Sequence, residues 1–282
     1  MNRKLSIYLS IIIAFFLSVP KAYSDASYVE QFHKNFTLDA GTEVEVYNVN
    51  GEIDVSTWGE DYVEVGVQKR TNEDRDELDK VTIEMNLDEI LEIRAIFRKP
   101  EQDDSFFGRM FGWAGSSPKV SVDFTIKLPE SVILSIAESV NGNVRINGTR
   151  GNTVAKTTNG SIHVDKTNGL IETRTTNGNI YVTGGATVSE AKTTNGSIEV
   201  SLPKNRIENT DISTVNGSVD LYMSPDINAD ISLKTVNGKI SAGGFLMTVD
   251  TISKREFTGT LGSGGKTISV RTVNGSIELH KE

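Results

Sequence analysis

The sequence predicts an all-β protein of the stacked β-solenoid (β-helix-like) class, with an N-terminal β cap subdomain inserted into the repeat. Three observations predict it. A short motif recurs at a nearly fixed step, apolar and polar residues alternate inside each repeat, and equivalent positions keep their character from one repeat to the next. Repeats of this kind are expected when each unit stacks in register on its neighbour.

The recurring motif is Thr-(Thr/Val)-Asn-Gly-(Ser/Asn/Lys)-(Ile/Val). Its six copies start at Thr157, Thr175, Thr193, Thr214, Thr235 and Thr272. From Asn141 onward the Asn residues of the series are separated by 18, 18, 18, 21, 21 and 37 residues. A second Gly turn divides each 18-residue step, so the unit is a coil of two nine-residue halves. The step of 37 residues predicts two coils, one of them with a degraded turn.

The apolar positions form columns when the repeats are aligned. One column comprises Val144, Ile162, Ile180, Ile198, Val219, Ile240 and Ile277. Asn-Gly is also typical of two-residue hairpins, which makes an antiparallel meander the alternative. Neighbouring strands of a meander run in opposite directions, so the uniform columns favour the solenoid. We expect the Asn amides to bond along the stack, and Gly to provide left-handed turn backbone.

Composition and charge exclude several classes of function. The 282-residue chain has a formal net charge of −9 and a pI near 5.0, so nucleic acid is not expected as its partner. It has no cysteine, which excludes disulfides, thiol catalysis and cysteine-ligated metals. The three histidines have no metal-ligand spacing. The turns also lack the repeated Asp of a calcium β-roll, and no cofactor or metal is expected.

Residues 1–24 are interpreted as a secretory signal peptide. Two basic residues precede an apolar segment of about 15 residues, and Ala22-Tyr23-Ser24 places small residues before a cleavage site near Asp25. An uncleaved anchor helix is the alternative, but the segment is short of the ~20 residues that span a bilayer. The prediction is an exported protein, periplasmic or at the cell surface.

The remaining chain divides into three predicted parts. Residues 25–57 hold an N-terminal strand and a first coil, 58–131 an inserted β cap, and 132–282 the solenoid repeats. The cap includes an aromatic loop at 105–114. Its candidate binding residues are Phe106, Phe107, Phe111 and Trp113. Either the loop packs inside the cap, or its exposed tip contacts a membrane, a glycan or a protein.

A column of cations forms the second candidate binding surface. Lys156, Arg174 and Lys192 stand at equivalent positions, and two residues before them lies a column with Glu172, Glu190 and Asp211. One interpretation, without any binding role, is a solvated face on which neighbouring charges neutralise one another. The functional one is a ladder that recognises a repetitive anionic polymer such as an envelope glycan. Stacked carboxylates also leave a carbohydrate-active β-helix enzyme, a lyase or glycosidase, as an alternative.

The sequence also resembles a known family. The segment from Phe36 to Trp58, the strand ending Ile126-Lys-Leu-Pro129 and the serial Thr-Val-Asn-Gly-Ser-Ile coils are similar to the bacterial "putative adhesin" β-strand-repeat families, domains of unknown function. The resemblance implies an exported solenoid without catalytic residues; loop 105–114 departs from the pattern. The predicted function is an adhesin-like binding or scaffold protein of the cell envelope, not an enzyme, whose partner is an envelope glycan or another surface protein.

Overall fold

A computed structural model of the chain describes residues 27–97 and 119–282. Within these residues it contains 23 strands and one short 3₁₀ helix, Arg75–Lys80. The part of the chain that is described includes no helix with the length and apolarity needed to cross a membrane. The predicted signal peptide and the aromatic loop with Phe106, Phe107, Phe111 and Trp113 lie outside the described residues.

The strands form three groups along the chain. The N-terminal ones are β1 (Tyr28–Phe36), β2 (Glu43–Tyr47), β3 (Ile53–Trp58), β4 (Val63–Thr71), β5 (Val81–Leu87), β6 (Leu91–Phe97) and β7 (Val120–Pro129). The repeat continues with β8 (Ile133–Glu138), β9 (Val144–Asn147), β10 (Thr153–Lys156), β11 (Ile162–Asp165), β12 (Leu170–Arg174), β13 (Ile180–Val182), β14 (Thr187–Lys192), β15 (Ile198–Leu202), β16 (Thr210–Asn216) and β17 (Val219–Met223). The last strands are β18 (Ala229–Asn237), β19 (Ile240–Ser241), β20 (Met247–Ile252), β21 (Glu256–Leu261), β22 (Lys266–Asn274) and β23 (Ile277–Lys281).

Two long sheets contain all of these strands. Sheet 1 has the order β1-β4-β7-β3-β9-β11-β13-β15-β17-β23-β19, and sheet 2 has the order β20-β21-β18-β22-β16-β14-β12-β10-β8-β2-β6-β5. Each coil of the repeat contributes one strand to each sheet, and from β8 to β17 the neighbouring coils pair in parallel. The predicted β-solenoid is therefore confirmed, and the antiparallel meander is excluded for the repeat.

The predicted columns stack residue on residue. Ile180 pairs with Ile162 on one side and with Ile198 on the other, and all three side chains are fully buried. Side chains of a strand point alternately to its two faces, so the inward column builds the core between the sheets and the intervening polar residues face outward. The periodicity of two in the sequence thus corresponds to one buried and one exposed face per sheet.

Polar side chains at the Asn-Gly turns extend the stacking. Each Asn amide donates to the side-chain oxygen of the neighbouring Asn at 2.7–2.9 Å, in an unbroken series from Asn237 to Asn141. The motif Thr is buried, and its hydroxyl donates to a Gly carbonyl in the turn of a neighbouring coil at 2.9 Å. Buried hydroxyls need such partners. The predicted amide ladder is therefore present.

The reason for Gly at these turns differs from our expectation. Positive φ occurs at Gly51 but not at the later motif glycines such as Gly160 and Gly178, so the left-handed explanation is wrong for them. A Cβ built on Gly178 would lie far inside van der Waals contact with the carbonyl oxygen of Gly160. Gly is therefore required because the backbones of stacked turns approach each other closely.

The C-terminal coils also differ from the sequence prediction. The coil of β22 and β23 does not lie at the end of the stack: β22 pairs with β16 on one side and with β18 on the other. The 37-residue step is not two coils with a degraded turn, because β20 and β21 form an antiparallel hairpin on the outer edge of β18. Among the coils that carry the motif, the last one in the chain therefore lies second from the end of the stack.

The N-terminal strands continue both sheets at the other end. The coil of β2 and β3 pairs in parallel with β8 and β9, and its other side contacts β6 and β7 in parallel. Beyond them β4 and β5 run antiparallel to their neighbours, and β1 forms the edge of sheet 1. The assignment of 58–131 as an inserted cap, and the other domain boundaries, stay predictions.

We expect Gly178→Ala to destabilise the protein by about 2 kcal/mol or more, because overpacking a fixed backbone contact cannot be relieved by a side-chain rotation. The free energy of unfolding from urea titrations measures this. Gly59→Ala is the matched control, since a Cβ there meets nothing within 4 Å, and we expect a change within about 0.5 kcal/mol. Equal effects at the two positions would contradict the close approach of the turns.

Candidate functional site

The candidate site is an open groove of about 440 Å³ along the edge where sheet 2 meets the Asn-Gly turns. Side chains from three consecutive coils repeat along it. It is lined by the cations Lys156, Arg174 and Lys192 and by the threonines Thr158, Thr176 and Thr194. A cation and a threonine thus recur at each of these three coils.

Strand register places the three predicted cations in one row. Lys156 ends β10, Arg174 ends β12 and Lys192 ends β14, and each pairs with the next in the parallel ladder. Neighbouring strands lie about 4.8 Å apart, so the row has a constant spacing. The structure therefore brings together all three cations proposed from the sequence.

The threonine row belongs to the second position of each motif. The bridges between the motif Asn residues bring Thr158, Thr176 and Thr194 next to each other on consecutive turns, and the last two are exposed. Further along the stack this position holds valine. Val215, Val273 and Val236 are 41%, 38% and 50% exposed. The three threonines therefore form a hydroxyl-bearing row that lines the groove together with Val140, and exposed valines hold this position in the coils further along the stack.

Sequence reasoning missed this threonine row as a candidate site. The signal was available, because the second position of the motif is Thr in the copies that start at Thr157, Thr175 and Thr193 and Val in those that start at Thr214, Thr235 and Thr272. The first Thr is buried and bonded to a neighbouring turn, whereas the second faces outward. Only the second Thr can therefore contact a ligand. The two threonines of the motif are the same residue type and differ only in burial, so burial is needed to recognise the second as a row of candidate ligand contacts.

A continuous chain of ion pairs connects the acidic and basic rows. Arg174 contacts Glu172 at 3.3 Å and also pairs with Glu190. Lys192 pairs with Glu190 at 2.6 Å and with Asp211 at 3.0 Å. Arg271 lies on β22, which stacks between β16 and β18, and it contacts Asp211 at 3.4 Å. The expected mutual neutralisation of the charged columns is therefore present, and it extends over four layers.

Glu190 is the central carboxylate in this series of ion pairs. Burial alone would raise the pKa of its carboxyl, but hydrogen bonds from Arg174 and Lys192 outweigh burial and hold the pKa below its ordinary value. Hydrogen bonds to Glu190 and Asp211 in turn raise the pKa of Lys192. A general acid in glycoside hydrolysis needs a raised carboxyl pKa. The electrostatics of Glu190 therefore favour a structural ion pair.

Lys156 has different surroundings from the other two cations. The two positions that correspond to the acidic row hold Val154 and Ile136, and no carboxylate of the described residues lies within 4 Å of the Lys156 amino group. Its neighbour in register is Glu138. Among the residues that the structure describes, Lys156 therefore has no ion-pair partner, and it lies at one end of the row of cations.

Comparison with known proteins identifies a family. The family model described as Toastrack DUF4097 matches residues 121–280, more than half of the chain. A search of the curated proteins found no match. The family match covers the repeat and confirms the resemblance drawn from its motifs.

Solved structures with similarity to the chain are remote in sequence. A "putative cell adhesion protein" from Clostridium sporogenes is 13% identical, with 90% of this chain and 100% of that chain covered and a TM-score of 0.35. A "putative adhesin" from Parabacteroides distasonis is 15% identical, with coverages of 89% and 97% and a TM-score of 0.37. One from Bacteroides fragilis is 12% identical, with coverages of 89% and 97% and a TM-score of 0.30. Such TM-scores are too low to carry an argument about function.

We expect Glu190→Gln to lower the free energy of unfolding at neutral pH, by about 0–1 kcal/mol for each of its ion pairs. The pKa of Glu190 is depressed by folding, so its contribution is present above the pKa of the unfolded state and is lost as pH falls through the folded-state pKa. Urea titrations of both proteins at a series of pH values should therefore show the difference shrinking in acid.

The control for this experiment removes both partners. With Arg174→Leu and Lys192→Met in the background, Glu190→Gln should no longer lower the free energy of unfolding at neutral pH, because the carboxylate then has no cation to pair with and burial alone disfavours its charge. A difference between wild type and Glu190→Gln that stays constant with pH would contradict the role of these ion pairs.

Proposed function

Because the chain belongs to the Toastrack DUF4097 family and repeats one set of groove side chains on three coils, we propose that it is an exported adhesin-like binding protein of the bacterial cell envelope. The ligand is an extended, hydroxyl-rich polymer such as an envelope glycan. One observation carries the proposal: a cation and a threonine recur in register along a single groove. A repetitive row of equal donors suits a repetitive ligand.

The balance of charge favours a hydroxyl-rich polymer over a strong polyanion. Arg174 and Lys192 are both paired with carboxylates, so they offer N–H donors while their charges are largely compensated. The threonine hydroxyls can donate and accept. The whole chain has a net charge of −9, which opposes the approach of a polyanion. This changes the ligand expected from the sequence, an anionic polymer, to one recognised by hydrogen bonds.

Binding without catalysis accounts best for the carboxylates. Glycoside hydrolysis uses two carboxyl groups, one protonated and one free to act as base or nucleophile. Glu172, Glu190 and Asp211 each contact at least one cation, and the hydrogen bonds from Arg174 and Lys192 hold the pKa of Glu190 below its ordinary value. The predicted signal peptide at residues 1–24 supports export. We therefore propose a periplasmic or surface location and no chemical step.

The test is binding of the full chain without its signal peptide to immobilised neutral and anionic polysaccharides. The triple variant Thr158→Val, Thr176→Val and Thr194→Val removes the groove hydroxyls, and valine already occupies this position in the coils of Val215, Val236 and Val273. At about 1 kcal/mol per lost hydrogen bond, affinity should fall roughly 100-fold. Added salt should change the affinity little.

Thr125→Val is the matched control, because Thr125 is an exposed threonine on sheet 1; it should bind like wild type. Full binding by the triple variant would contradict the proposal, as would binding that collapses with added salt. Reducing ends should not be released from the polysaccharide. Their release by wild type, and its loss in Glu190→Gln, would instead establish the carbohydrate-active enzyme.

A further inference from the structure

A second group of polar side chains lies on the outer face of sheet 1, on the sheet opposite the groove. Asp220 on β17 pairs in register with Glu278 on β23, and His280 follows Glu278 on the same face. The imidazole Nε2 lies 2.8 Å from a carboxylate oxygen of Asp220. One potential metal ligand atom from each of the three residues lies within 4.8 Å of the other two.

The imidazole of His280 is held by packing. Its ring stacks on Tyr222, which is its partner in register, with a centroid distance of 4.5 Å and an interplanar angle of 19°. The plane of the ring is therefore fixed, and its edge faces the two carboxylates. A preoriented imidazole loses little freedom when it binds an ion.

The chain contains a second histidine–tyrosine stack, which shows what is particular about the first. His163 stacks on Tyr181 at 4.6 Å and 16°, on the same face of sheet 1. Its neighbour in register is Arg145, and burial together with the charge of Arg145 lowers the pKa of His163. The same stack thus occurs once beside a cation and once beside two carboxylates.

The charge around Asp220 has little compensation. Glu199, Asp220 and Glu278 occupy successive coils of one column, and within the described residues His280 is the one basic side chain found within 4 Å of any of them. On sheet 2 the acidic row has lysine or arginine two residues away, whereas the corresponding positions here hold Ser201, Tyr222 and His280. This is an environment that attracts a cation.

We propose that Asp220, Glu278 and His280 bind a divalent transition metal of the zinc class. Two carboxylates and one imidazole are donors that zinc uses, and three protein ligands leave a coordination position for water or a partner. Calcium and magnesium prefer oxygen-only sites, so the imidazole selects against them. Zinc–ligand bonds of about 2.0–2.2 Å place ligand atoms roughly 3.3–3.6 Å apart, which rotation of the two carboxylates can reach.

The test is zinc titration of the chelator-treated chain by calorimetry, with cobalt absorption as the spectroscopic readout of the ligand set. We expect one ion per chain, and a tetrahedral-type cobalt spectrum. His280→Gln and Asp220→Asn should each weaken binding by at least about tenfold, as changes around metal ligands commonly do. Calcium and magnesium should not compete.

His163→Gln is the matched control, because it removes a histidine from an equivalent stack without removing a ligand; its zinc affinity should equal that of wild type. Unchanged zinc affinity in both His280→Gln and Asp220→Asn would overturn the site. Absence of zinc binding by the wild-type chain would do the same. Unaltered urea unfolding curves for the variants exclude loss of the fold as the cause of weaker binding.

Discussion

The structure depends on parallel, in-register backbone pairing between successive coils. Pairing at about 4.8 Å places each side chain over its equivalent, so one buried position becomes a continuous core and one exposed position becomes a row. The turns must approach as closely as the strands do, which excludes a Cβ at glycines such as Gly178. Asn and Thr side chains at the same turns are bonded between coils, so their polar groups are satisfied within the stack.

Much of this could be predicted from the sequence because a coil is a local unit. The inward column of Ile162, Ile180 and Ile198 and the cation row followed directly from the repeat. The order of the last coils could not be predicted. The motifs that begin at Thr235 and Thr272 have the same residue types, so the sequence does not show which of the two coils stacks on β16. The reason for Gly at the turns was missed as well, since close approach is a property of two coils and not of one.

The two outer faces of the solenoid illustrate what stacking does for function. On sheet 2 it turns one charged position into a chain of ion pairs beside a row of hydroxyls, and the proposed binding groove is built from short-range repetition. On sheet 1 it joins Asp220 to His280, which are 60 residues apart. No local spacing signals such a pair, and it exists only because the last coil enters the stack next to β17.

Disulfide trapping tests the arrangement most directly, because the chain has no cysteine of its own. Ser213 pairs with Arg271, which pairs with Lys234 on its other side. Cysteines at 213 and 271 should cross-link readily, because disulfides need Cα atoms about 4.4–6.8 Å apart. Cysteines at 213 and 234 should not, because two strand spacings, roughly 9.6 Å, separate them. The reverse pattern would show that the coils stack in sequence order and would contradict the account.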